Sequence, residues 1–196
     1  MRLLLIHRSS LSAALFFLAI IAVACAPGNS EVDGEDASAD FTAAALEAFE
    51  DEASGLWGYR NPEGAVVIEP AYQIAGDFRG ALAGVVDDSG WAMIDARGAV
   101  FVRPFVFDNG PDPYRQALAR FVDERGRMGF FNSAGEIEIP AAYDFAEPFE
   151  KSGTAAVCMK CELKAEGEHR VVVGGEWGRI DRSGKLTAPI GSVTRE

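Results

Sequence analysis

Histidine and cysteine are scarce in this 196-residue chain, with two of the first and three of the second. His7 lies in the N-terminal segment, which leaves His169 alone in the body of the protein. No Gly-x-Ser-x-Gly elbow accompanies it, so a Ser-His-Asp apparatus has no parts here. A four-ligand zinc site lacks its second cysteine pair. Basic residues are outnumbered 18 to 30, for a net charge of −12, which leaves no electrostatic footprint for nucleic acid. Long apolar runs are missing as well: the uncharged apolar run from Leu11 to Ala24 has fourteen residues, too few for a comfortable membrane span.

That stretch has another use. Arg2 and Arg8 precede it, and Ala22-Val23-Ala24-Cys25 closes it, which is the order of a secretory signal sequence. The ending looks like a lipobox, where cleavage precedes a cysteine that then carries acyl chains; Ala22 departs from the commoner leucine. The expectation is a signal peptide over 1–24 and a membrane anchor through acyl chains on Cys25, several chains holding firmly where one would not. Ordinary secretion after an Ala-x-Ala pattern and an uncleaved anchor are the alternatives. Ala26 after the cysteine resembles outer-membrane lipoproteins. The expected location is therefore the bacterial cell envelope, lipid-anchored at the outer membrane and facing the periplasm or the cell surface. Residues 26–59 hold nine acids and no base, while 60–196 hold 16 bases against 21 acids, a balance of −5. The acidity is mostly that of a tether, and 25–44 reads as disordered and self-repelling.

Glycine, by contrast, is plentiful, and four glycines are placed by a repeat. Copies begin at Trp57, Trp91, Met128 and Trp177, each followed by a small residue: Gly58, Ala92, Gly129, Gly178. Four positions on stand Asn61, Asp95, Asn132 and Asp181, and seven on stand Gly64, Gly98, Gly135 and Gly184. Asx-x-x-Gly is a turn in which the side-chain oxygen caps the backbone and glycine takes a positive φ. Past it, the second and fourth residues are apolar every time (Val66/Ile68, Val100/Val102, Ile137/Ile139, Leu186/Ala188), the spacing of a half-buried strand with one constant face. Pro70, Pro104, Pro140 or Pro189 then ends the run.

These residues resemble the WG-repeat family of bacterial proteins, named for the Trp-Gly pair that stands here at 57/58 and 177/178. The resemblance covers roughly residues 45 to 189, and Trp91-Ala92 and Met128-Gly129 depart from it. It implies an architecture and no single activity.

Segments 45–52, 81–88 and 117–124 align with one another before a copy start and read as a third strand per unit, with strand at Ala48 to Asp51 and room for a short helix at Phe41 to Leu46. A hairpin cannot bury its own apolar face, so the units must lean on one another. The fold class expected is all-β: an array of antiparallel hairpins over 45–191, open and solenoid-like or curved and propeller-like. Phasing as strand plus hairpin is favoured over a ring closed by the N-terminal strand.

Two insertions break the spacing. One is a stiff loop, Asn109-Gly-Pro-Asp-Pro113; the other, 158–175, reads as a long hairpin turning near 165–168. Insertions in repeats often mark a binding face, which nominates Asn109, Asp112, Lys160, His169 and Arg170 as binding residues. Cys158-Met-Lys-Cys161 is the one reactive-looking motif, and it admits a local disulfide, unlinked thiols, a metal site with His169, or redox catalysis. In an extended strand residues three apart lie roughly 10 Å apart on opposite faces, while a disulfide needs Cα atoms within about 7 Å, so a bond would demand a bulge. The tryptophans fit packing between repeats better than sugar stacking, because Met128 keeps the bulk and loses the stacking face. The expected function is a non-catalytic module that binds an envelope protein, peptidoglycan or a glycan, with no cofactor. An envelope redox or hydrolytic enzyme using Cys158 and Cys161 is the alternative.

Overall fold

A computed structural model describes residues 43–167 and 169–193. The signal peptide, Cys25 and nearly all of the tether therefore lie outside the described residues. The chain enters through a short 3-10 turn, Ala43–Ala45, and then builds four units. The first is Glu47–Glu50 (β1), Trp57–Arg60 (β2) and Val66–Tyr72 (β3), antiparallel in that order. After a bend at Gln73, Ile74–Ala75 (β4) pairs with the first strand of the second unit, Ala83–Asp87 (β5), followed by Gly90–Ile94 (β6) and Val100–Pro104 (β7). Val106–Phe107 (β8) and Gly110–Pro111 (β9) form a small side hairpin. Leu118–Val122 (β10) pairs back on β7 and starts the third unit with Met128–Asn132 (β11) and Ile137–Tyr143 (β12). Phe145–Ala146 (β13) repeats the role of β4 beside the fourth unit: Thr154–Glu166 (β14), His169–Asp181 (β15) and Leu186–Val193 (β16).

The array is thus phased as strand plus hairpin. Among the described strands β1 pairs only with β2, and β16 only with β15, so the ladder is open at both ends.

All four Asx turns form. Asn61 Oδ1 accepts the amide of Ala65 at 2.8 Å, and Asp95, Asn132 and Asp181 accept those of Ala99, Glu136 and Lys185 at 3.0 to 3.1 Å. Gly64, Gly98, Gly135 and Gly184 carry φ of 84°, 80°, 82° and 78°, the left-handed region where a side chain is strained.

Two irregularities recur and set the side chains. The residue two past each start pairs with the residue eleven past it (Tyr59↔Ile68, Met93↔Val102, Phe130↔Ile139, Arg179↔Ala188), while the next pairs with the residue nine past the start (Arg60↔Val66, Ile94↔Val100, Phe131↔Ile137, Ile180↔Leu186). One extra residue is bulged between them in every unit. Because Tyr59 and Arg60 point to opposite faces, Val66 and Ile68 are separated as well, and the apolar period-two pattern does not describe one constant face. Ile68, Val102 and Ile139 are buried at 4 to 8% exposure, whereas Val66, Val100, Ile137 and Leu186 stand 41 to 48% exposed.

The second irregularity lies at the small residue after the start. A β-carbon on Gly58 or Gly129 would be 2.5 Å from the carbonyl oxygen of Ile68 or Ile139, and on Gly178 2.9 Å from that of Ala188. The third strand wraps over glycine there, so that Trp57 reaches Tyr72 and Met128 reaches Tyr143. In the second unit the residue is Ala92; β7 is short, and Val106, the counterpart of Tyr72, is diverted into the side hairpin.

Three cores lie between consecutive units. Tyr59, Met93 and Phe130 each enter the core shared with the following unit, and Ile94, Phe131 and Ile180 enter the core shared with the preceding one. Each such side chain contributes about 1.5–3 kcal/mol by burial. Edge-to-face rings tie the units further: Tyr59 on Phe78 at 5.0 Å and Phe130 on Phe149 at 4.8 Å. At each end of the array this rule leaves one position facing no unit, and both are arginines. Arg60 pairs with Glu47 at 3.1 Å and lies over the Phe49 ring; Arg179 bonds Glu150 at 2.5 Å and Thr154 at 3.1 Å.

Candidate functional site

The residues nominated from the insertions do not converge. Asn109 sits at the tip of the β8–β9 hairpin, where Asp108 and Asn109 have φ of 49° and 65°, a two-residue turn of the type that matches strand twist. Its carbonyl accepts the indole N–H of Trp91 at 3.1 Å. Asp112 is turned inward: its carboxylate takes two bonds from the Arg120 guanidinium, at 2.9 and 2.6 Å, and one from the Arg120 amide at 3.1 Å, with both side chains nearly sealed from solvent. Arg120 also donates to the Ala146 carbonyl and lies over the Phe105 ring at 4.4 Å. Asp112 therefore anchors its insertion to the third unit and offers no carboxylate to a ligand. Sequence reasoning missed Arg120, because a lone arginine in a strand reads as a solvated face.

Lys160 and Arg170 belong to the other insertion, the arm in which β14 and β15 run past the sheet. Residues 162–167 are exposed, and Arg170 is an exposed strand residue opposite Ala165. His169 pairs with Glu166 through the backbone; its side chain lies outside what is described. Among the described residues no cluster of three metal-ligating side chains occurs.

The cysteines are brought together. Lys160 adopts φ of 60°, and Gly174 and Gly175 opposite it adopt 67° and 81°, so the extended alternation is broken at the one residue where it would have put Cys158 and Cys161 on opposite faces. The amide of Lys160 donates to Asp144, whose carboxylate also faces Arg127 at 3.6 Å, and the Lys160 ammonium reaches Glu176 at 2.6 Å. Gly175 clears the space: a β-carbon there would overlap Cys158 Sγ and sit 2.6 Å from Cys161 Cβ. Both thiols are free, Cys158 fully buried and Cys161 half-buried. Burial, and then its hydrogen bond with Cys161, push the Cys158 thiol up to about 12; burial also raises Cys161, partly offset by that same bond. Neither is poised as a thiolate at neutral pH, the reverse of a catalytic cysteine.

The tryptophans serve packing unequally. Trp177 is buried at 6%, edge-on to Phe145 at 6.2 Å, and Met128 fills the same position at 2%. Trp57 and Trp91 are half-buried, short of the full burial that a core role implies.

A surface feature that stacking leaves unused is a row in the repeat pattern, Val66, Val100, Ile137 and Leu186, one exposed residue per unit at the same position. Scattered exposed aliphatics are ordinary; the same exposed position apolar in every unit is a pattern. Val100 borders a shallow groove of about 750 Å³ between β7 and the end of β10, also lined by Phe121 and Arg103. Arg103 is held there by two bonds of 2.8 Å to Asp87. The signal for this row was present in the sequence as invariant apolarity, and was read as burial.

Residues 57–91 and 128–160 match the family described as WG containing repeat. Those are the two units whose third strand runs its full seven residues and passes through a one-residue bend into the next. No curated protein and no solved structure matches the chain.

Proposed function

We propose that this repeat array is a non-catalytic binding module of the bacterial envelope, held to the outer membrane by acyl chains on Cys25, and that its partner is another envelope protein. The observation that carries the reading is the exposed aliphatic row. Val, Ile and Leu exposed at one position of every unit suit the apolar centre of a protein interface, whereas a glycan is stacked by aromatic faces, and here Trp177 is packed inward and Trp91 is tied to Asn109. The side hairpin and the arm carry exposed apolar side chains of their own, Phe107 at 57% and Leu163 at 41%. The raised thiols of Cys158 and Cys161 weigh against the redox or hydrolytic reading.

The test takes the full chain expressed in a bacterial envelope and crosslinked in place. Wild type should fractionate with membranes and give a discrete protein adduct, and Cys25→Ser should be released. A chain with Val66, Val100, Ile137 and Leu186 changed to Ser should lose the adduct while keeping its melting cooperativity. Adducts that survive those changes and vanish when the exposed end of the arm, 164–171, is trimmed to a short turn would move the surface to the arm; retention on isolated peptidoglycan alone would replace the protein partner with a glycan.

A further inference from the structure

Four features meet at the root of the arm: a left-handed Lys160, its amide fixed by Asp144, a left-handed Gly174–Gly175 pair across the ladder, and two cysteines that both crowd the one place where Gly175 lacks a β-carbon. A non-glycine residue at positive φ is strained and persists only where its surroundings over-determine it. Here what the strain accomplishes is to turn a pair that a regular strand would hold apart onto one side, in a space kept empty by the absence of a β-carbon. Unlinked structural thiols need no such arrangement. We infer that Cys158 and Cys161 are a built site for an intrastrand disulfide, formed across Lys160 by exchange with an external disulfide, which pins the root of the β14–β15 arm.

The chemistry balances in two exchanges. Cys161 is the half-exposed member, and so the one that an external disulfide can reach. It attacks one sulfur of the external disulfide, forming a mixed disulfide and releasing one external thiolate. Cys158 then attacks Cys161 Sγ, the intrastrand bond forms, and the second external thiolate leaves. The two cysteines lose two protons and two electrons, and the external disulfide becomes two thiols. An exported chain meets such oxidants, since disulfides form and persist outside the cytosol. The loop closed is too short for a large gain in global stability in the chain-entropy account. Its effect is local: with Lys160 fixed, the direction in which the exposed part of the arm leaves the sheet is fixed too.

Lys160 lies between the two cysteines, and that makes the test direct. The full chain is incubated with oxidised glutathione, denatured, alkylated, and digested with trypsin before and after reduction. The expected result is that Ser152–Lys160 and Cys161–Lys164 carry no alkyl group before reduction, are recovered joined with a mass lower by two hydrogens, and separate and label only after it. Hydrogen exchange of residues 161–174 should slow on oxidation, with the first two units unchanged. Immediate labelling of both peptides would overturn the inference, as would either cysteine joined to glutathione, to Cys25 or to a second chain as the stable product. The reading uses the unmodified chain and so does not depend on a variant that folds. It is also separate from the crosslinking test, since a chain that forms the disulfide and binds no partner upholds one inference and sinks the other.

Discussion

In the third strands of the first three units, two apolar positions, nine and eleven residues past the start, are chemically alike and physically opposite. Ile139 is packed in the core between the third and fourth units and Ile137 faces solvent, although only Glu138 lies between them and the sequence pattern treats them as equals. The bulged residue between them decides it. In a regular strand they would share a face; with one residue extruded, each answers to a different partner on the second strand. A repeat can therefore hold two apolar residues constant for two different reasons, one for its own stability and the other for what lies outside it.

The largest expected effect breaks that comparison outright. Ile139→Ala should cost about 2–5 kcal/mol in urea unfolding, while Ile137→Ala, on the exposed side, should stay within about 0.5 kcal/mol. Equal losses would mean that the row is part of the core. A smaller effect tests the wrap that accompanies the bulge. Gly129→Ala places a methyl 2.5 Å from the Ile139 carbonyl oxygen and 2.6 Å from Phe121 Cε1, an overpacking worth about 1–3 kcal/mol. The reverse change at the equivalent position, Ala92→Gly, relieves no clash and removes a buried methyl, so it should cost the roughly 0.5–1 kcal/mol of glycine entropy plus about 0.8 kcal/mol of lost burial. If Gly129→Ala costs nothing, the close approach is not what requires glycine.

The smallest effect separates the turns. Units one and three cap theirs with Asn61 and Asn132, units two and four with Asp95 and Asp181. Burial pushes the Asp95 carboxyl up, but Arg97 and the turn amides hold it below its ordinary value, and the Ser183 side chain and turn amides do the same for Asp181. A folded pKa below the unfolded value, about 3.9 for aspartate, gives stability that is present above that value and lost as pH falls through the folded one. Asp95→Asn and Asp181→Asn should thus flatten the acid side of the melting-temperature profile. Asn61→Asp should steepen it. A profile indifferent to all three would remove the caps from the acid response.

Much of this architecture was legible because its signals are local. Asn61-Pro-Glu-Gly64 and its three counterparts fix their turns by side-chain chemistry and glycine φ, and the strands at Ala83–Asp87 and Leu118–Val122 followed by alignment with them. The arm was legible from its length and its Gly-Glu turn. What stayed hidden depends on contacts between segments distant in the chain. The exposure of Val66 and its counterparts follows from a bulge that no residue type announces. The pairing of Asp112 with Arg120 needs the side hairpin folded against β10, and the meeting of Cys158 with Cys161 needs Gly175, fourteen residues further along the chain.

The arginines at the two ends of the array bear on how copies of it could meet. An open ladder of like units is a template for its own extension: a second copy docking its first unit on the last unit of another would make a head-to-tail contact that never closes, and such contacts grow into fibres. Inside the array the docking positions are Tyr59, Met93 and Phe130 on one side and Ile94, Phe131 and Ile180 on the other. At the ends they are Arg179 and Arg60, so the joint between two copies would bring two guanidinium groups, each already engaged with a glutamate, into a space that elsewhere holds a ring or a branched aliphatic chain. Two like charges at the end positions thus weigh against the very joint that ring and aliphatic side chains favour between units inside the array.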